Sequence, residues 1–140
     1  MAKYTPSMAK EGRAALTRMR RLVPGAVQLV YDNWNGLVVG FGPTERASEA
    51  VVSIVMLQDH VTLCFIDNAP DLPDPQQLLQ GSGNVARHIK LDSARDLDKP
   101  AIRALVKTAV ARAGVPFDRR RRGKLVIKSI SKKQRPRRPV

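Results

Sequence analysis

Four runs of apolar, β-branched residues lie between Ala26 and Ile66, and their connections leave little choice of topology. The runs are Ala26–Tyr31, Leu37–Phe41, Ala50–Leu57 and Val61–Ile66. Between them stand a turn at Asp32–Gly36, a polar loop at Gly42–Ser48 and a tight turn at Gln58–His60. Parallel neighbours need a crossover of about a dozen residues or more, so these connections predict an antiparallel meander. Asn35-Gly36 is a strong hairpin dipeptide, because both residues tolerate the left-handed backbone that tight turns demand. Val85–Leu91 reads as a fifth strand. It alternates Val85, Arg87, Ile89 and Leu91 on one face with Ala86, His88 and Lys90 on the other.

Helix signals bracket these strands. Thr5-Pro6 is a helix start, with Thr as N-cap and Pro at the first helical position. Met8, Ala15, Leu16, Met19, Leu22 and Val23 then recur at helical spacing, and Pro24-Gly25 ends the element. A second helix follows Pro100, capped by Asp96 or Asp98, with an apolar stripe of Ile102, Leu105, Val106, Ala109, Val110 and Ala113. Gly114 and Pro116 stop it. Asp74-Pro75 predicts the cap of a short helical turn over Gln76–Leu79. The fold class expected is α+β: an antiparallel sheet of about five strands packed by an N-terminal and a C-terminal helix.

At 140 residues one domain is expected, with enough chain to bury a core unaided. The single cysteine excludes an intrachain disulfide and a Cys-rich zinc site. No apolar run approaches the roughly 20 residues that span a bilayer, so no membrane association is expected. The first 16 residues lack the apolar stretch of a signal peptide, which makes a cytoplasmic location the expectation.

The formal charge of +13 is unevenly distributed. Residues 119–140 hold 11 basic residues and no acid, residues 1–21 a net +5, and residues 22–118 a net −3. The chain therefore divides into a nearly neutral domain over 1–118 and a basic C-terminal extension over 119–140. Arg119, Arg120, Arg121, Arg122, Lys124, Lys132, Lys133, Arg135, Arg137 and Arg138 are candidates to bind a polyanion such as nucleic acid. Cations at this density neutralise phosphates and release counterions without reading sequence. The extension holds no aromatic residue, so base stacking is not expected of it. Within it, Lys124–Ile130 reads either as a short strand or as an arm that packs on the domain. Arg135–Pro139 reads as disordered.

Other constellations carry weaker chemistry. Gly81-Ser82-Gly83-Asn84-Val85-Ala86 spells a phosphate-loop pattern, but such a loop needs a strand before it and a helix after it. The reading here is the reverse, so no nucleotide cofactor is expected. Tyr31, Trp34, His60, Arg87 and His88 are candidates for a small ligand pocket, aromatic bodies beside a few polar heads. Trp34 reads more simply as a cover over the sheet end, and the histidines as turn and sheet-surface residues. Asp67, Asp71 and Asp74 are weak candidates for a hard cation, although their spacing is not that of a calcium loop. Cys64 lies in an apolar strand, where a free thiol is commonly buried and inert. No catalytic residues are legible, since no nucleophile–base pair can be placed.

Several stretches together resemble the YdhG-like family of small bacterial domains of unknown function. These are Leu72-Pro73-Asp74-Pro75, Leu78-Leu79-Gln80-Gly81-Ser82-Gly83, Arg87-His88-Ile89-Lys90-Leu91, His60–Phe65 and the Tyr31–Phe41 hairpin. The resemblance covers roughly residues 8–114 and implies a compact α+β domain with a frataxin-like order of elements. Some relatives are described as frataxin-like iron-binding proteins, which makes a small-molecule or iron-binding protein the alternative function. In frataxins the metal face is an acidic ridge on the first helix. Here that helix carries one acid, Glu11, among five basic residues from Lys10 to Arg21. The leading expectation is a non-enzymatic binding or adaptor module whose cationic C-terminal arm takes an anionic partner.

Overall fold

Thr5 opens the first helix as its residue type and position dictate. Its hydroxyl accepts from the Met8 amide, and Pro6 fills the first helical position of α1 (Pro6–Leu22). In the computed structural model, which describes residues 3–67, 69–82, 85–134 and 136–138, α1 buries a face of Ala9, Gly12, Ala15, Leu16 and Met19. Ahead of the cap, Tyr4 is also buried. Its hydroxyl donates to the Met56 carbonyl at 2.8 Å and accepts from the Leu37 amide, which ties the helix entry to the sheet.

The meander forms as the short connections require. Strands β1 (Val27–Asp32), β2 (Leu37–Gly42), β3 (Val52–Met56), β4 (Val61–Phe65) and β5 (Arg87–Leu91) pair antiparallel in sequence order. A sixth strand, β6 (Lys124–Ile130), joins the outer side of β1 in parallel, giving the order β5-β4-β3-β2-β1-β6. The fold is thus α+β with a mixed sheet. Of the two readings of Lys124–Ile130, the strand is realised. β6 can lie parallel to β1 because the whole of the domain, including α2 (Pro100–Ala111), intervenes as the crossover.

Register fixes which side chains face the helices. Val39, Phe41, Val52, Ile54, Met56, Val61, Leu63, Phe65, Ile89 and Leu91 form one core with α1 and α2. Helix α2 contributes Ile102, Leu105, Val106 and Ala109, as its periodicity predicts. Its cap differs from expectation. Lys99 is the N-cap and makes no side-chain capping bond, because its ammonium has no acceptor to offer the helix amides; it contacts the Asp96 carboxylate at 3.2 Å instead. Asp96 instead accepts from the Asp92 and Ser93 amides and caps a 3-10 helix at Ala94–Asp98, while Asp98 pairs with Arg18. Nor is there a helical turn at Gln76–Leu79. Gln77 sits at φ +53°, and both oxygens of Asp74 accept from Leu78 and Leu79 amides in a turn.

The turns β1–β2 and β3–β4 lie at the same end of the sheet, as do the last residue of β6 and the segment after it. That segment crosses the sheet end. The Ser131 amide donates to the Asp32 carbonyl, and the Gln58 side chain donates to the carbonyls of Pro136 and Arg138. The described part of the stretch expected to be disordered is therefore tied down, while Arg135, Pro139 and Val140 lie outside the described residues. Gly83 and Asn84 of the phosphate-loop pattern lie outside them too. Strand β5, not a helix, follows that pattern.

Candidate anion-binding surface

The basic extension divides into cations held by the domain and cations that face outward. Its entry is fixed at Gly25, which has φ +78°. A Cβ there would stand 2.0 Å from the Asp118 carbonyl oxygen, so only glycine lets residues 118–119 lie this close to the α1–β1 turn. Arg121 then donates to the carbonyls of Gly25 and Pro43, and Lys124 pairs with Glu45 at 2.6 Å. The Lys124 hydrogen bond holds the Glu45 carboxyl below its ordinary range.

Arg137 is the most enclosed of these cations, with 4% of its surface exposed. It donates to the Asp32 carboxylate at 2.9 Å, to the Trp34 carbonyl at 2.9 Å and to the Asn33 carbonyl. Its guanidinium lies 6.0 Å from the centre of the Tyr4 ring. Lys3 reaches the other Asp32 oxygen at 2.8 Å and also holds Gln134, so the segment before α1 and the segment after β6 meet at one carboxylate. Burial pushes the Asp32 carboxyl upward. The hydrogen bonds from Lys3, then Arg137 and Gln134, outweigh it and hold the group below the usual carboxylate range. Arg137 was expected to bind a polyanion, and here it is an internal cation matched by Asp32.

The outward set is Arg119, Arg120, Arg122, Lys132 and Lys133. All are exposed, and none forms an ion pair among the described residues. Lys128, which sequence reasoning left out, is exposed in β6 as well. Arg20 on the last turn of α1 adds to them. With Arg119 and Arg121 it lines a cleft of about 500 Å³ beside Gly25, Gln28 and Leu125. The Arg20 guanidinium is oriented there by the Gln28 side-chain oxygen at 3.1 Å. A second cleft, of about 460 Å³, opens on the other side of Pro24 and Arg119, with walls of Leu22, Val110 and Phe117. The helix contribution was not legible as a site because Arg20 and Arg119 are 99 positions apart in the sequence.

The five residues expected to form a pocket do not converge. Tyr31 is on β1, whereas Arg87 and His88 are on β5, with three strands between. At about 4.8 Å per strand spacing this puts them roughly 19 Å apart. Arg87 also starts β5 at the end opposite the β1–β2 turn. Trp34 and His60 do share one sheet end, in adjacent turns. Trp34 is about half-exposed, and His60 contacts the Asp59 carboxylate at 2.7 Å. Asp59 lies below its usual range because of that histidine hydrogen bond.

The aspartates expected as weak cation ligands are also separated in role. Asp74 is occupied by two backbone amides, and the Asp71 carbonyl accepts from Arg112. Asp67 is half-buried after β4. Among the described residues, no three His, Cys, Asp or Glu side chains gather as a metal set. Glu11, the one acid of α1, accepts from the Ala94 amide at 2.8 Å. Cys64 is paired in register with Ser53, and burial raises its thiol above the ordinary value despite a Ser53 hydrogen bond.

What the fold and surface define is an α+β domain with a mixed sheet, whose one edge strand lies within a dense field of cations. No family model matches the chain, and neither a curated protein nor a solved structure matches it. Among the described residues, no helix is long and apolar enough to cross a membrane.

Proposed function

We propose that the chain is a YdhG-like, non-enzymatic binding or adaptor module whose basic C-terminal segment takes an anionic macromolecule, with nucleic acid as the first class to test. The α+β fold agrees with what the resemblance implies. The observation that carries the reading is the outward set: Arg119, Arg120, Arg122, Lys132 and Lys133 stand exposed and unpaired among the described residues on a segment anchored to the sheet. Anchoring matters because cations flanking a strand fixed in the sheet lose less conformational freedom when a partner arrives. Contacts made by this set go to phosphates and fix position, and they do not read bases.

The test is fluorescence anisotropy of the full chain with duplex DNA and with single-stranded RNA, across about 50 to 300 mM salt. Affinity should fall steeply with salt. Replacing Arg119, Arg120 and Arg122 together by serine should flatten the log–log slope by about 2 to 3, near 0.9 per lost phosphate contact. A salt-independent affinity, or an unchanged slope in the triple variant, refutes the reading.

A further inference from the structure

We propose that the open edge of β6 is a docking strand for an extended acidic segment of another polypeptide, which adds to the sheet as a seventh strand. The inference deepens the anionic-partner reading and rests on it.

β6 ends the sheet. One side of it pairs with β1, and among the described residues the other side has no strand beside it. An edge of this kind presents a row of backbone donors and acceptors, the template used when a peptide is captured by strand addition. The register then puts three large apolar side chains in one row. Leu125 lies opposite Gln28, Ile127 opposite Val30 and Ile130 opposite Asp32. Simple alternation from Leu125 and Ile127 would bring Ser129 to that row. A bulge between Val30 and Tyr31 inserts Lys128 and brings Ile130 there instead.

The row faces the helix side of the sheet, yet it stands largely uncovered, and Arg20 of α1 shares a cleft with Leu125. Leu125, Ile127 and Ile130 are 52%, 61% and 62% exposed. Isolated exposed apolar residues need no explanation, but a continuous row on an unpaired edge does. A phosphate backbone satisfies cations and would leave this row wet. An extended polypeptide offers both the backbone bonds and alternate apolar side chains.

Charge selects between possible strands. Lys128 lies in β6, Lys132 and Lys133 follow it, and residues 119–138 contain no acid, although Lys124 at the start of β6 is paired with Glu45 from the β2–β3 connection. A second copy pairing edge to edge would set lysines against lysines, and edge lysines are a common device against such self-pairing. A strand carrying Glu or Asp at alternate positions meets the opposite sign. The seven residues of β6 span about 23 Å, so the incoming segment needs roughly six or seven residues in strand form.

The experiment uses the full chain and three labelled peptides: alternating Glu-Val, the same composition with Glu and Val in separate blocks, and alternating Lys-Val. Anisotropy gives affinities, and hydrogen–deuterium exchange reads the β6 amides. The alternating Glu-Val peptide should bind at least about tenfold tighter than either control and slow exchange in β6. Leu125→Ser with Ile127→Ser, both exposed and so compatible with folding, should weaken that peptide about tenfold. Duplex DNA affinity should stay within about twofold in this variant, since no cation is lost. Ile130→Ser alone is the milder second variant and should weaken the peptide without altering the circular dichroism.

Equal affinity for alternating and blocked peptides overturns the proposal, as does binding without β6 protection. A dimer by sedimentation that dissolves in the Leu125→Ser, Ile127→Ser variant makes a second copy the occupant and also overturns it. DNA binding with no peptide binding refutes strand addition and leaves the broader reading standing. Failure of DNA and of every peptide refutes both.

Discussion

Arg137→Ala is the substitution whose effect follows most directly from the structure. The wild-type guanidinium is enclosed, and its donors meet the Asp32 carboxylate and the carbonyls of Trp34 and Asn33. Removing one partner of a buried ion pair costs about 3 to 5 kcal/mol, because the other charge is left uncompensated. Here Asp32 keeps Lys3 at 2.8 Å, which places the expected loss at the lower end, about 3 kcal/mol. For a chain of this size each kcal/mol lowers Tm by about 3 to 4 °C, so the variant should melt about 10 °C lower.

Thermal and urea unfolding of wild type and variant measure the loss. The sign of its pH dependence follows from Asp32. Its folded pKa is lowered, so between the folded and unfolded values the unfolded chain binds more protons. The stability this contact supplies is complete above the ordinary carboxylate range and is lost as pH falls through the folded value. The gap between wild type and Arg137→Ala should therefore be widest near neutrality and narrow as pH falls below the ordinary carboxylate range. A loss under about 1 kcal/mol, or a gap that grows on acidification, would refute the account of Arg137 as an internal cation.

Three further outcomes are expected. Gly25→Ala should destabilise by about 2 kcal/mol or more, since it combines a positive φ with a Cβ placed against the Asp118 carbonyl, and urea unfolding reads it. Tyr4→Phe should cost about 1 to 2 kcal/mol by the same assay, because the Leu37 amide and Met56 carbonyl lose their shared partner. Cys64 should react with a disulfide reagent at neutral pH well below the rate of a free thiol, and reach that rate in denaturant. A fast native reaction would contradict the burial that raises its pKa.

The meander, α1 and the stripe of α2 were legible because their signals are local: alternation, capping, and connections of a few residues. The strand at Lys124–Ile130 was legible as one of two readings, but its place in the sheet was not, because its partner β1 lies about a hundred positions earlier and nothing in either strand names the other. Tyr4 carried a faint signal. An aromatic residue just before an N-cap is where a hydrophobic staple sits, and Tyr4 and Ala9 share the core as that motif requires. The pocket of Tyr31, Trp34, His60, Arg87 and His88 failed for a geometric reason. These residues are distributed from β1 across to the β5 edge of a sheet whose width the sequence does not display.

Charge was the property most exposed to this gap. A count gives the extension 11 cations of one kind, yet the fold sorts them by acids fixed elsewhere in the chain. Asp32 holds Arg137 and Glu45 holds Lys124, while two backbone carbonyls hold Arg121. Those three contacts fasten the start, the strand and the end of the segment to the sheet. The outward cations Arg119, Arg120, Arg122, Lys128, Lys132 and Lys133, with Arg20 of α1, then stand along an edge rather than on a loose arm. It follows that mutating the fastening set should loosen the edge and mutating the outward set should not. A stability scan across residues 119–138 separates the two groups, and equal losses in both would undo the division.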